Sequence, residues 1–74
     1  MLFKVKLQEQ IEKKQMKLQK FVSLRQISRE TGISRPTLDR WLHTAQKQID
    51  ARKVAILCNY FECDIRDFLE FVQE

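Results

Sequence analysis

One glycine, Gly32, and one proline, Pro36, are all that 74 residues contain of these turn formers, and no Asn-Gly or Asp-Gly dipeptide occurs. Tight β-hairpins therefore lack their usual connectors. Cysteine is scarce as well. Cys58 and Cys63 have no third or fourth thiol at zinc-site spacing, and the single histidine, His43, lies elsewhere in the chain, so both thiols are read as core residues and no metal is expected. No apolar run approaches the length of a membrane span, and Met1-Leu2-Phe3-Lys4 is too short and too charged downstream for a signal peptide, which makes the cytoplasm the expected compartment and leaves the membrane out. Paired carboxylates, a Ser/His/Asp set and a glycine-rich phosphate loop are also missing. Nothing suggests an enzyme, a cofactor or a small-molecule substrate.

What is present is a globular, helix-forming balance. Hydrophobic residues make up 43% and charged residues 32%, enough Ile, Leu, Val and Phe to exclude a disordered chain. A chain of 74 residues has surface for one core, so residues 1–74 are expected to form one domain. Lys, Gln, Glu, Arg and Leu favour helix, and the predicted class is all-α. The net charge of +4 is unevenly placed: residues 1–53 hold 13 Lys/Arg against 5 Asp/Glu, whereas residues 54–74 hold Arg66 against Glu62, Asp64, Asp67, Glu70 and Glu74. The expected dipole attracts a polyanion to the first two thirds and repels it from the last, which favours nucleic acid as the partner.

Apolar spacing and caps divide the chain into five predicted helices. Leu7 and Ile11, four apart, mark the first over Val5–Lys14; residues 15–21 either extend it or form a basic loop. Ser23-Leu24-Arg25-Gln26 fits a capping box, in which the serine oxygen takes the N3 amide and the glutamine reaches back, and it starts a helix with Leu24, Ile27, Ser28 and Thr31 inward. Gly32 closes that helix with positive φ, and Ile33 plugs the angle. Ser34 caps the third helix, to about Leu42, with Pro36 tolerated in its first turn and Leu38, Trp41 and Leu42 on its inner face. After a polar loop over 44–49, Asp50 caps a fourth helix with Val54, Leu57, Cys58 and Phe61 inward. Asp64 caps the last, with Ile65, Phe68, Leu69 and Val72 inward and Phe71 left over.

Two short helices joined by a glycine turn can place the second in a major groove about 12 Å wide while the first braces the backbone. The run Ser23-Leu24-Arg25-Gln26-Ile27-Ser28-Arg29-Glu30-Thr31-Gly32-Ile33-Ser34-Arg35-Pro36-Thr37-Leu38-Asp39-Arg40-Trp41-Leu42 resembles the Cro/phage-repressor-type helix-turn-helix, the XRE family. Residues 50–72, with Leu57-Cys58-Asn59-Tyr60-Phe61, Cys63 and Asp67-Phe68-Leu69, are similar to the fourth and fifth helices of its short single-domain members. The resemblance implies a five-helix lambda-repressor-like domain that binds double-stranded DNA and regulates transcription. Its base-reading positions correspond to Ser34, Arg35, Pro36 and Arg40, with Thr37 and Asp39 on the same segment. Its backbone contacts correspond to Ser23 and Arg25 and to the loop from Thr44 to Lys47; apart from the resemblance, Arg52 and Lys53 lie near the expected docking surface and are read as backbone contacts, and His43, at the end of the third helix, as a phosphate or solvent residue. Three residues depart from the pattern: Leu24 stands where many members have glutamine, Ser28 where a small alanine is usual, and Pro36 where a polar base-reading side chain is frequent.

Other readings accompany these. Asp39 is placed to orient Arg35 or Arg40 by an ion pair, and Trp41 has core spacing. Lys4, Lys6, Lys13, Lys14, Lys17 and Lys20 form a basic segment that either faces solvent or touches DNA backbone. The acidic, apolar C-terminal helix is the candidate homodimer surface, since two-fold proteins read two half-sites. The alternative function is an antitoxin-like or scaffold module presenting Phe68, Phe71 and Tyr60 to a protein partner. RNA is disfavoured by the lack of an exposed aromatic platform.

Overall fold

The computed structural model describes residues 1–73. Along the chain run strand β1 (Leu2–Val5), helices α1 (Leu7–Leu18), α2 (Leu24–Thr31), α3 (Arg35–His43), α4 (Ala51–Phe61) and α5 (Ile65–Phe68), and strand β2 (Leu69–Val72). The expected caps are where short side-chain oxygens stood: Ser23, Ser34, Asp50 and Asp64 each accept from an amide of the following turn. The capping box at Ser23 is half made. Its Oγ accepts from Gln26 N–H at 3.1 Å, but the Gln26 side chain reaches forward to Glu30 rather than back to the cap. Residues 15–18 extend α1, which ends at Gln19 in the left-handed region, and Gln15 Oε1 accepts from Val22 N–H at 3.0 Å to steer the loop back into the core.

The all-α expectation is corrected at both ends of the chain. Val5 belongs to β1, not to the first helix, and the predicted last helix stops at Phe68. β1 and β2 pair antiparallel in the register Leu2↔Val72, Phe3↔Phe71, Lys4↔Glu70 and Val5↔Leu69. The absence of hairpin dipeptides has no bearing on this pair, because its strands, residues 2–5 and 69–72, are separated by five helices and need no tight turn. Ile65, expected inward, is 54% exposed, and Phe71 lies out on the sheet at 66% with its ring 5.3 Å from that of Phe3. Phe3 donates to and accepts from Gln46 across the other edge of β1, at 2.7 and 2.8 Å. Its backbone groups thus point away from β2. By antiparallel alternation those of Phe71, directly opposite, point away from β1, toward an edge that no third strand covers among the described residues.

The core gathers Leu7 of α1, Ile27 of α2, Leu38 of α3, Leu57 of α4 and Phe68 of α5, all fully buried, with Trp41 and Val54 beside them. Burying each such side chain contributes on the order of 1.5–3 kcal/mol. One buried polar residue belongs to this architecture: Gln10, whose Nε2 donates to the Asp67 carbonyl at 3.1 Å while Lys6 N–H donates to the Phe68 carbonyl at 2.7 Å. These bonds fasten the single-turn α5 to α1. Cys58 and Cys63 are free and half-buried, packed against the core edge; burial pushes both thiols up, Cys63 to about 11.

Three helices meet at Tyr60. Its hydroxyl donates to Glu30 of α2, and the Lys14 ammonium of α1 lies 4.4 Å from its ring centroid. Partial burial, and then the bond to Glu30, push Tyr60 up to about 12, and the same bond holds Glu30 below the usual carboxylate range. A phenol with a raised folded-state pKa stabilises the fold fully below its unfolded value of about 10, and that stability is lost as pH rises toward 12. Urea midpoints should therefore fall between pH 10 and 12 in the wild type, with a smaller fall over this window in Tyr60→Phe. Equal losses in both would contradict this account of the junction.

Candidate nucleic-acid interface

Gly32 sets the angle between α2 and α3 at the candidate interface. It sits at φ +79°, donates to the Ser28 carbonyl at 2.8 Å, and turns the chain out of α2. Thr31 reinforces the corner: its hydroxyl donates to the Ile27 carbonyl at 2.7 Å and accepts from Ile33 N–H at 3.2 Å. Ile33 is buried in the angle, as its position suggested. Ser34 then caps α3, accepting from Thr37 N–H, and Pro36 stands in the first turn, where a missing amide proton costs no helical bond.

Leu38 and Trp41 hold α3 in the core, so the remaining positions form an outward stripe. Arg35, Pro36, Asp39, Arg40 and His43 are all exposed on it, at the i, i+1, i+4, i+5, i+8 spacing of one helix face, and Ser34 is exposed at its head. Thr37 is not on this face. It is 8% exposed, and its hydroxyl accepts from Ser34 Oγ at 2.8 Å, so it belongs to the cap and the core. Asp39 meets His43 at 3.5 Å rather than either arginine, and with both side chains about two thirds exposed the pair adds little to stability.

The stripe has two flanks. On one, Leu24 of α2 lines a shallow notch with Arg35, Pro36 and Asp39. On the other, Arg40 shares a hollow with Gln48, Ile49, Asp50 and Lys53. Sequence reasoning missed Leu24 as a surface contributor and Gln48 altogether; the notch needs the crossing of two helices, which no single-helix periodicity reports. Among the expected backbone-contact residues, Arg25, His43, Thr44, Lys47 and Arg52 are exposed, Lys53 is half-buried, and Ser23 spends its hydroxyl on the cap of α2.

The lysines of α1 are partly committed elsewhere. Lys17 donates to Glu62 at 3.1 Å, Lys14 covers Tyr60, and Lys13, Lys14 and Lys17 line a cavity with Glu62, Asp64 and Asp67. The acidic C-terminal third thus folds against basic α1, so the dipole read from the sequence is partly compensated there. Of the three aromatics that the protein-binding alternative needs on the surface, Phe68 is fully buried, Tyr60 is half-buried and Phe71 is exposed.

The sequence model of the Cro/C1-type HTH DNA-binding domain family matches residues 6–74, nearly the whole chain. Comparisons with curated proteins and with solved structures gave no match. No helix among the described residues is long and apolar enough to cross a membrane.

A Cβ added at Gly32 would meet nothing within 4 Å, so the cost of a side chain there is backbone strain alone. Gly32→Ala should lower unfolding stability by about 1–2 kcal/mol in a urea titration, and Gly32→Asn by less. A loss above about 3 kcal/mol would mean that steric contact, not φ, selects the glycine.

Proposed function

Because the chain belongs to the Cro/C1-type helix-turn-helix DNA-binding domains, we propose that it is a transcriptional regulator whose α3 enters the major groove of duplex DNA in a sequence-specific manner. The observation that carries this reading is the exposed stripe of Ser34, Arg35, Pro36, Asp39 and Arg40 beyond a left-handed glycine turn, with Leu38 and Trp41 buried on the opposite side of the helix. Arg35 and Arg40 donate to acceptors on base edges, and for Arg40 guanine O6 and N7 are the best match for a guanidinium fork. Arg25, Thr44, Lys47, Arg52 and Lys53 contact phosphates, positioning the domain without specifying sequence.

We infer further that two copies act together. The support is the open edge of β2, where the Phe71 amide and carbonyl point outward beside an exposed ring. Antiparallel pairing of β2 with β2 of a second copy, centred on Phe71, would join the sheets into four strands and relate the two α3 helices by a two-fold axis. This replaces the C-terminal helix as the dimer surface, since residues 69–72 are a strand.

Selection from a random duplex library at several salt concentrations tests the proposal. The wild type should enrich a motif of two half-sites about 10 base pairs apart. Arg35→Ala and Arg40→Ala should each lose about 1–3 kcal/mol on it and relax one position, while Lys47→Ala should weaken all sequences alike and flatten the salt dependence by about one ion. No enrichment, or mutants equal to wild type, would turn the domain into a protein-binding scaffold; sedimentation as a monomer, free and on DNA, would remove the dimer.

A further inference from the structure

The notch on one flank of α3 forms where the start of α2 meets the first turn of α3. Leu24 opens α2 and Pro36 lies in the first turn of α3; together with Arg35 and Asp39 they line one shallow, largely apolar hollow. Leu24 is half-buried with part of its side chain against the core, which fixes it in place, and Pro36 is rigid by construction. Neither side chain has a hydrogen-bonding group. A polar base edge laid against them would lose water without gaining a partner, whereas a methyl group would gain by burial.

Among the four bases only thymine displays a methyl group in the major groove, and it carries the O4 acceptor beside it. The Arg35 side chain, at the same notch, has no hydrogen-bond or ion-pair partner among the described residues, so its donors are available to an acceptor there. A 5-methylcytosine would instead turn its N4 donor toward this cation, and the one carboxylate at the notch, Asp39, already faces His43. We propose that the notch is a thymine-reading site: Leu24 and Pro36 enclose the C5-methyl group, and Arg35 donates to O4. The inference rests on the DNA-binding reading above and adds to it a base identity and two apolar specificity residues.

The test replaces each thymine of the enriched duplex, one at a time, by deoxyuridine, which removes the methyl and nothing else. At one position per half-site the wild-type affinity should fall about fourfold, the effect of burying one methyl group, and other positions should change less than about twofold. In Leu24→Gln and in Pro36→Ser the ratio of affinities for the thymine and uracil duplexes at that position should approach one. Leu24 also contacts the core, so the exposed Pro36 supplies the independent variant. No responsive position, or a response unchanged in both variants, overturns the proposal. So does tighter binding when cytosine is methylated at a position where thymine is not selected. A chain that enriches no duplex at all fails the DNA-binding reading itself, a result distinct from enrichment without methyl sensitivity.

Discussion

The angle between α2 and α3 rests on one residue in the left-handed region. At φ +79° Gly32 lets the chain leave α2 and enter α3 within three residues, and everything proposed for the outer face depends on that corner. With it in place, Ile27, Ile33, Leu38 and Trp41 interlock on the inside, and Arg35 through His43 are left outside. A residue with a Cβ carries about 1–2 kcal/mol of strain there, a large share of the margin expected of so small a domain. The bonds of Thr31 to Ile27 and Ile33 make the corner stiff as well as sharp, so the stripe is presented at a defined tilt.

Charge is arranged to the same end. The acidic residues that follow α4 are folded against the lysines of α1, with Glu62 on Lys17, while Arg35 and Arg40 have no acidic partner among the described residues. Unpaired cations on the outer face of α3 bear on the on-rate and the salt dependence of the proposed DNA binding more than on the fold. At the far end, pairing of β1 with β2 shields Val5 and Phe68 and leaves one edge of β2 open among the described residues.

How legible this was in the sequence varied with the range of the interactions. Ser23, Ser34, Asp50 and Asp64 announced their helices because a short side-chain oxygen satisfies an amide two or three residues on, a wholly local matter. The glycine turn and the core stripe of α3 were legible for the same reason. The sheet was not: its strands are four residues each and come from opposite ends of the chain, and Ile65, Phe68, Leu69 and Val72 satisfy a helical period even though the chain becomes strand at Leu69. Gln10 and Gln15, polar residues that look like solvent-facing positions of α1, turned out to hold α5 and Val22 through their amides. Thr37 was placed on the base-reading face by position along α3, but its bond with Ser34 draws it inward. The Leu24–Pro36 notch exists only once two helices have crossed.

Duplex DNA is proposed to meet the outward stripe of α3 and not the acidic end of the molecule. Titrating isotope-labelled protein with its enriched duplex and following backbone amide shifts tests this residue by residue. The largest changes are expected at Ser34–His43, with smaller ones at Arg25 and from Thr44 to Lys53, and little change at Glu62–Asp67. Shifts concentrated on α1, α5 or the far end of α4, with α3 unmoved, would contradict it.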